Sequence, residues 1–157
     1  MSLLTLRTFH IFDASASNVW DLLADFGAIQ SWWPTEGPVV IERVELEGQG
    51  LGMVRHVYNR GAAHPVSERL DQLDSAERVL QLSILGRPPA RTPWYQATAR
   101  LVELEDGRCR LEYQSEFSAP RGRENQTRDG ILVAYRALFS GLQTASAAAP
   151  SGTPPTP

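Results

Sequence analysis

Turn signals recur at hairpin intervals through the middle of this 157-residue chain, and that rhythm limits its architecture more than any other feature. Between Gly37 and Ser118 they fall at Glu47-Gly48-Gln49-Gly50, Asn59-Arg60-Gly61, Asp74-Ser75, Gly86 to Pro93 and Asp106-Gly107. Residues of these types supply the backbone angles that a chain reversal needs. The runs between them are predicted strands near 38–46, 51–58, 66–73, 77–85 and 95–104, with a further one at 108–117. Leu80, Leu82 and Ile84 share one face of one run, and Leu111, Tyr113, Ser115 and Phe117 share one face of another. Connections this short join antiparallel neighbours, because parallel strands need a crossover of a dozen or more residues.

The flanks follow other periods. Residues 4–12 (LTLRTFHIF) alternate and predict a first strand. Ser15 is a good N-cap, and Val19, Leu22, Leu23 and Phe26 recur at helical spacing, which predicts a helix over 16–25 ended by Gly27. A second short helical piece is expected from Ala28 to Trp32, stopping before Pro34. Beyond the strands, Arg123 to Thr144 predicts a long amphipathic helix with Ile131, Ala134, Tyr135, Leu138 and Leu142 as its apolar stripe. A sheet with one apolar face and a helix with one apolar stripe bury each other when the sheet curls. The expected fold class is therefore α+β, a seven-stranded curved antiparallel sheet around the C-terminal helix, with two short helices after the first strand. The space between sheet and helix is the candidate binding cavity.

Composition narrows the function classes. At 42% hydrophobic and 21% charged residues, the balance is that of a globular domain with its own core. No apolar run reaches the roughly 18 residues of a membrane span, so no integral membrane association is expected. Met1 to Phe12 alternates rather than forming an apolar block, which predicts no signal peptide. Cys109, the single cysteine, has no partner for an internal disulfide, and a cytoplasmic setting is expected. All 15 basic residues are arginine, dispersed among 18 acids, and the net charge is −3. Codon composition accounts for that bias, and without a basic block no nucleic-acid partner is expected. Residues 145–157, with four prolines, four alanines and no charge, read as a disordered tail after a domain spanning 1–144.

Several strings occur in a telling order. Val19-Trp20-Asp21-Leu22-Leu23-Ala24-Asp25-Phe26 precedes Trp32-Trp33-Pro34. Gly50-Leu51-Gly52-Met53-Val54-Arg55, Val66-Ser67-Glu68-Arg69-Leu70-Asp71 and Ala119-Pro120 follow. Across residues 4–144 the chain resembles the START-like, helix-grip superfamily, also called SRPBCC. It is most similar to the polyketide cyclase/dehydrase-like branch and, at greater distance, to plant abscisic-acid receptors. The resemblance implies a cavity for a small hydrophobic ligand or substrate, lined by Trp33, Arg55, Glu68, Leu82, Ile84, Trp94, Tyr95, Tyr113, Ile131 and Tyr135. It also implies a mouth covered by loops at Asn59 to Pro65 and Gly86 to Trp94. Where the hormone receptors carry a lysine and a glutamate, this chain has Trp33 and Tyr113, which argues against a hormone-type carboxylate ligand.

Arg55 and Glu68 are the most informative pair. They sit on consecutive predicted strands with inward phase, and a buried charge is costly unless paired. They either fix strand register or anchor the polar end of a ligand. The aromatics Trp33, Tyr95 and Tyr113 suit a planar or polycyclic guest, whereas Trp20 belongs to core packing and Trp94 is either a pocket wall or an exposed loop tip. His10, His56 and His64 lack metal-ligand spacing, so no metal is expected, and no cofactor motif is present. Alternation sends His56 to the outer face. Cys109 has no adjacent base. Two functions stand ahead of a third, a protein-interaction module working through the convex face or the tail. One is a carrier or sensor of an aromatic, polyketide or isoprenoid-like molecule. The other is a cofactor-independent cyclase or dehydratase, in which Arg55 polarises a carbonyl, Glu68 moves protons and Tyr95 donates a hydrogen bond. A homodimer is left open.

Overall fold

The computed structural model describes residues 1–87 and 93–148. Its elements are β1 (Ser2–Phe12), α1 (Ala16–Ala24), a 3-10 stretch (Phe26–Ser31), β2 (Ile41–Glu47), β3 (Val54–Asn59), β4 (Val66–Asp74), β5 (Val79–Leu85), β6 (Pro93–Glu103), β7 (Cys109–Ala119) and α2 (Glu124–Ala148). The strands form one antiparallel sheet in the order β1-β7-β6-β5-β4-β3-β2. The first strand therefore closes against the last, and the rest is a meander. This is the expected α+β helix-grip arrangement.

Alternation explains which face turns inward. On β7, Cys109, Leu111, Tyr113, Ser115, Phe117 and Ala119 are buried while the residues between them are half-buried or exposed. Tyr95, Ala97, Ala99 and Leu101 do the same on β6, and Leu80 and Leu82 on β5. Against them α2 turns Tyr135, Leu138 and Leu142. Phe12, Phe117, Leu111 and Leu142 are almost wholly enclosed, and each large side chain contributes about 1.5–3 kcal/mol through burial.

Curvature has a local cause. The register shifts between Ile41 and Arg43, between Leu70 and Gln72, and between Ile84 and Leu85. Each irregularity bends its strand and increases twist. All three lie in the β2–β6 part of the sheet, whereas β1 and β7 pair without a shift.

Two boundaries differ from expectation. Helix α1 begins as predicted, with the Ser15 hydroxyl accepting from the Asn18 amide at 3.1 Å. It ends at Ala24 rather than at Gly27, which lies inside the 3-10 stretch. A Cβ on Gly27 would stand 2.7 Å from Leu46 Cδ1, the end of an exposed side chain that can turn aside. Gly50 and Gly52 have φ of +64° and +87°, as the turn between β2 and β3 requires. Helix α2 runs to Ala148, so the boundary expected at 144 falls inside it. Alanine is the best helix former, and the alanines after Leu142 continue the helix while the Ser146 hydroxyl bonds back to the Leu142 carbonyl. The rest of the expected tail, 149–157, lies outside the described residues, as does most of the expected second mouth loop.

Candidate functional site

Between α2, the 3-10 stretch and strands β2 to β5 and β7 lies a cavity of about 180 Å³. Its wall is largely aliphatic. Ile29, Ile41, Val57, Ile84 and Leu138 contribute apolar surface, and Trp33 closes one side. Polar groups gather on it from β3 and β4 (Arg55, Asn59, Glu68) and from Tyr113 and Tyr135. A larger depression of about 430 Å³, lined by Arg7, Phe9, Arg110, Glu112 and Gln114, lies on β1 and β7, away from Arg55 and Glu68. A hollow on the outer strand face lacks the enclosure that strengthens polar contacts, so the internal cavity is the candidate site.

Arg55 and Glu68 are direct cross-strand partners on β3 and β4. Arg55 is 6% exposed. Its Nη2 donates to Glu68 Oε2 at 3.3 Å and its Nη1 to the Phe26 carbonyl oxygen at 2.8 Å. The guanidinium also lies over the Phe26 ring, 3.8 Å from the centroid. A cation held by a carboxylate, a carbonyl and a ring face is compensated on three sides. Arg55 Nε and Asn59 Oδ1 are buried without a hydrogen-bond partner among the described residues. One is a donor and the other an acceptor, and both belong to cavity-lining residues.

Behind the cavity wall a hydroxyl chain crosses from α2 to the sheet. Tyr135 donates to Ser115 Oγ at 2.5 Å and pairs with the Tyr95 hydroxyl at 2.5 Å. The Tyr113 ring meets Tyr135 edge to face at 4.8 Å. Burial pushes the pKa values of Tyr95, Tyr113 and Tyr135 upward, and the mutual proximity of the phenols adds to this for Tyr95 and Tyr113. These hydroxyls keep their protons and act as neutral hydrogen-bond partners. Burial also pushes the Cys109 thiol up to about 11.

The sign of the linkage is definite. An unfolded tyrosine releases its proton near 10.0 and an unfolded cysteine near 9.0, while the folded groups hold theirs to higher pH. Above those values the folded state binds more protons, so stability falls as pH rises. Denaturant titrations should give a plateau below pH 9 and a decline above pH 10 of about 4 kcal/mol per pH unit if all three phenols contribute. Tyr135→Phe should make that decline shallower. An unchanged stability from pH 9 to 11 would contradict the burial of these hydroxyls.

Six of the expected ligand residues surround the cavity: Trp33, Arg55, Glu68, Ile84, Tyr113 and Tyr135. Four do not line it. Leu82 is 3% exposed within the core, opposite Leu70 and Ala97. Tyr95 is buried behind the wall, where its hydroxyl pairs with Tyr135 and lies beside Tyr113. Trp94 is 44% exposed beside Tyr95, so it is a surface residue. Ile131 packs against the core earlier on α2. Val57, Asn59 and Val66 were missed although they share strand phase with Arg55 and Glu68. Period two from either charge would have found them. Ile29 and Val39 lie in irregular backbone, where no period points inward. The connection 60–65 joins the lining residues Asn59 and Val66, and His64 on it is exposed. His56 faces outward, 2.7 Å from Ser67 Oγ and 3.0 Å from Glu47 Oε2.

A curved antiparallel sheet gripping a long helix, with a polar-ended cavity between them, defines a START-like, SRPBCC-type domain. Residues 4–147 match the family described as polyketide cyclase / dehydrase and lipid transport, and the chain belongs to that family. No curated protein matches the chain. Among solved structures, the protein XoxI from Bacillus cereus is 24% identical with a TM-score of 0.73, covering 94% of this chain and 97% of its own. A protein from Bacillus thuringiensis is 23% identical with a TM-score of 0.74, covering 92% and 99%. Norcoclaurine synthase from Thalictrum flavum, solved with dopamine and hydroxybenzaldehyde, is 14% identical with a TM-score of 0.75, covering 96% and 90%. At these identities the likeness is one of fold. Among the described residues, no helix is long and apolar enough to cross a membrane.

Proposed function

We propose that the cavity binds a compact hydrophobic molecule, about the size of one substituted ring, with a carbonyl or hydroxyl at one end. The observation that carries this reading is a pair of buried polar atoms, Arg55 Nε and Asn59 Oδ1, that have no hydrogen-bond partner among the described residues and belong to a largely aliphatic wall. A buried donor or acceptor left unmade costs about 1–3 kcal/mol, which a ligand carrying the complementary groups would recover. Size supports the same reading. About 180 Å³ is below the roughly 300 Å³ at which pockets for drug-sized ligands begin, so a polycyclic guest is disfavoured. The fold relative bound to dopamine and hydroxybenzaldehyde holds two single-ring molecules.

Calorimetric titration with hydroxybenzaldehyde and with a tricyclic quinone tests the proposal. The single-ring aldehyde should bind, and Glu68→Gln should weaken it about tenfold through altered pairing of Arg55. Tighter binding of the tricyclic quinone, or no binding of either, would overturn it.

The same arrangement favours a second reading, catalysis. Arg55 is placed to stabilise negative charge developing on a carbonyl oxygen, and Glu68 is beside it to take or return a proton. Tyr113, on the cavity wall, takes the hydrogen-bonding role first expected of Tyr95. Full turnover of an identified substrate by Glu68→Gln would exclude the acid–base role.

A further inference from the structure

The two edges of the sheet are unlike. The β2 edge carries Glu42, Arg43, Glu45 and Glu47 and is broken by a register shift after Ile41, which are common defences against edge-to-edge pairing. The β1 edge is far less defended. It is 11 residues long, pairs evenly with β7, contains neither proline nor glycine, and carries one formal charge, Arg7. Its outer face exposes Leu3 (76%), Phe9 (66%) and Ile11 (40%), with Met1 beside them.

We infer that β1 is a dimer interface, pairing antiparallel with β1 of a second copy about a two-fold axis at Leu6. The strand is self-complementary in this register. Leu3 stands opposite the second copy's Phe9, Met1 opposite Ile11, and Thr5 opposite Arg7, each contact occurring twice, as two-fold symmetry demands. A shift that brings the two Arg7 side chains opposite each other sets like charges together, and the opposite shift sets Arg7 against Leu3. Charge complementarity selects the same register. Thr5 pairs with Glu116 on its own β7, so Arg7 of one copy faces Thr5 of the other with Glu116 directly behind it. Two strand spacings are about 10 Å, which an arginine and a glutamate side chain span together over a small threonine. Neither Arg7 nor Glu116 forms an ion pair with another described residue within the chain. The resulting sheet would have fourteen strands, with the two β2 edges at its ends.

Sedimentation velocity of the full chain, from about 1 µM to 0.1 mM, tests the interface. The chain should dimerise over this range. Arg7→Glu and Glu116→Arg should each weaken dimerisation about tenfold, and the charge-swapped double variant should restore it. Far-ultraviolet circular dichroism on each variant checks that the sheet is intact. A chain that stays monomeric throughout, or a dimer indifferent to both single substitutions, would overturn the inference.

Discussion

Replacing Arg55 with methionine should destabilise the fold by about 3 kcal/mol, since removing one partner strands the other's buried charge. The loss has two parts. Glu68, whose side chain is 15% exposed, is left as an uncompensated carboxylate, and the Phe26 carbonyl loses its donor. Methionine keeps much of the hydrocarbon volume, so a cavity term is small. Comparison with Arg55→Met/Glu68→Leu separates structure from recognition. Removing both charges should recover most of the stability, because replacing a whole buried pair by apolar groups is often neutral. Ligand binding should stay lost in the double variant. Chemical denaturation and calorimetric titration of the same samples decide the matter. A double variant that binds ligand normally would reduce Arg55 and Glu68 to a register-setting pair.

Two glycines on α2 should respond in opposite directions to alanine. A Cβ on Gly141 would collide with the Trp32 carbonyl oxygen and stand 2.9 Å from Pro34 Cδ. The obstacle is partly backbone and cannot rotate away. Gly141→Ala gains about 1 kcal/mol of helix propensity, but overpacking costs of about 1–3 kcal/mol or more apply, and the fixed carbonyl places this site at or above the upper end. A net loss of about 2 kcal/mol is expected. Gly130 has nothing within 4 Å of its would-be Cβ, and Gly130→Ala should stabilise by about 0.5–1 kcal/mol. Urea midpoints for the two variants test the pair. A neutral Gly141→Ala would mean that α2 and the Trp32-Trp33-Pro34 segment can separate freely.

The strands were legible in the sequence because period two is local, and turn residues bound each run. Arg55 and Glu68 could be placed on one face for the same reason, and their cross-strand pairing follows from short connections. Gly141 was not legible. Its meaning depends on a carbonyl more than a hundred residues away, and no local pattern carries that. Leu82 shows the limit of face assignment: it shares the inward phase of Ile84 but lies deeper, where side chains fill the space. The same limit applies to Tyr95, whose hydroxyl is engaged by Tyr135. The end of α2 was misjudged because alanine serves both a low-complexity tail and a helix.

The pairing of β1 with β7 has a consequence for synthesis. Even at their nearest paired positions, Phe12 and Cys109, the two strands are 97 residues apart. At about 5–20 residues per second, β1 emerges from the ribosome some 5–20 s before its partner exists. During that interval the β2–β6 meander can form hairpin by hairpin, while Leu3, Phe9 and Ile11 wait in an unpaired strand. Contacts that distant in sequence close slowly, so docking of β1 is a late event in folding. Until β7 has emerged, the first strand of this chain has no partner for either of its backbone edges, and it is the segment most open to pairing with another chain.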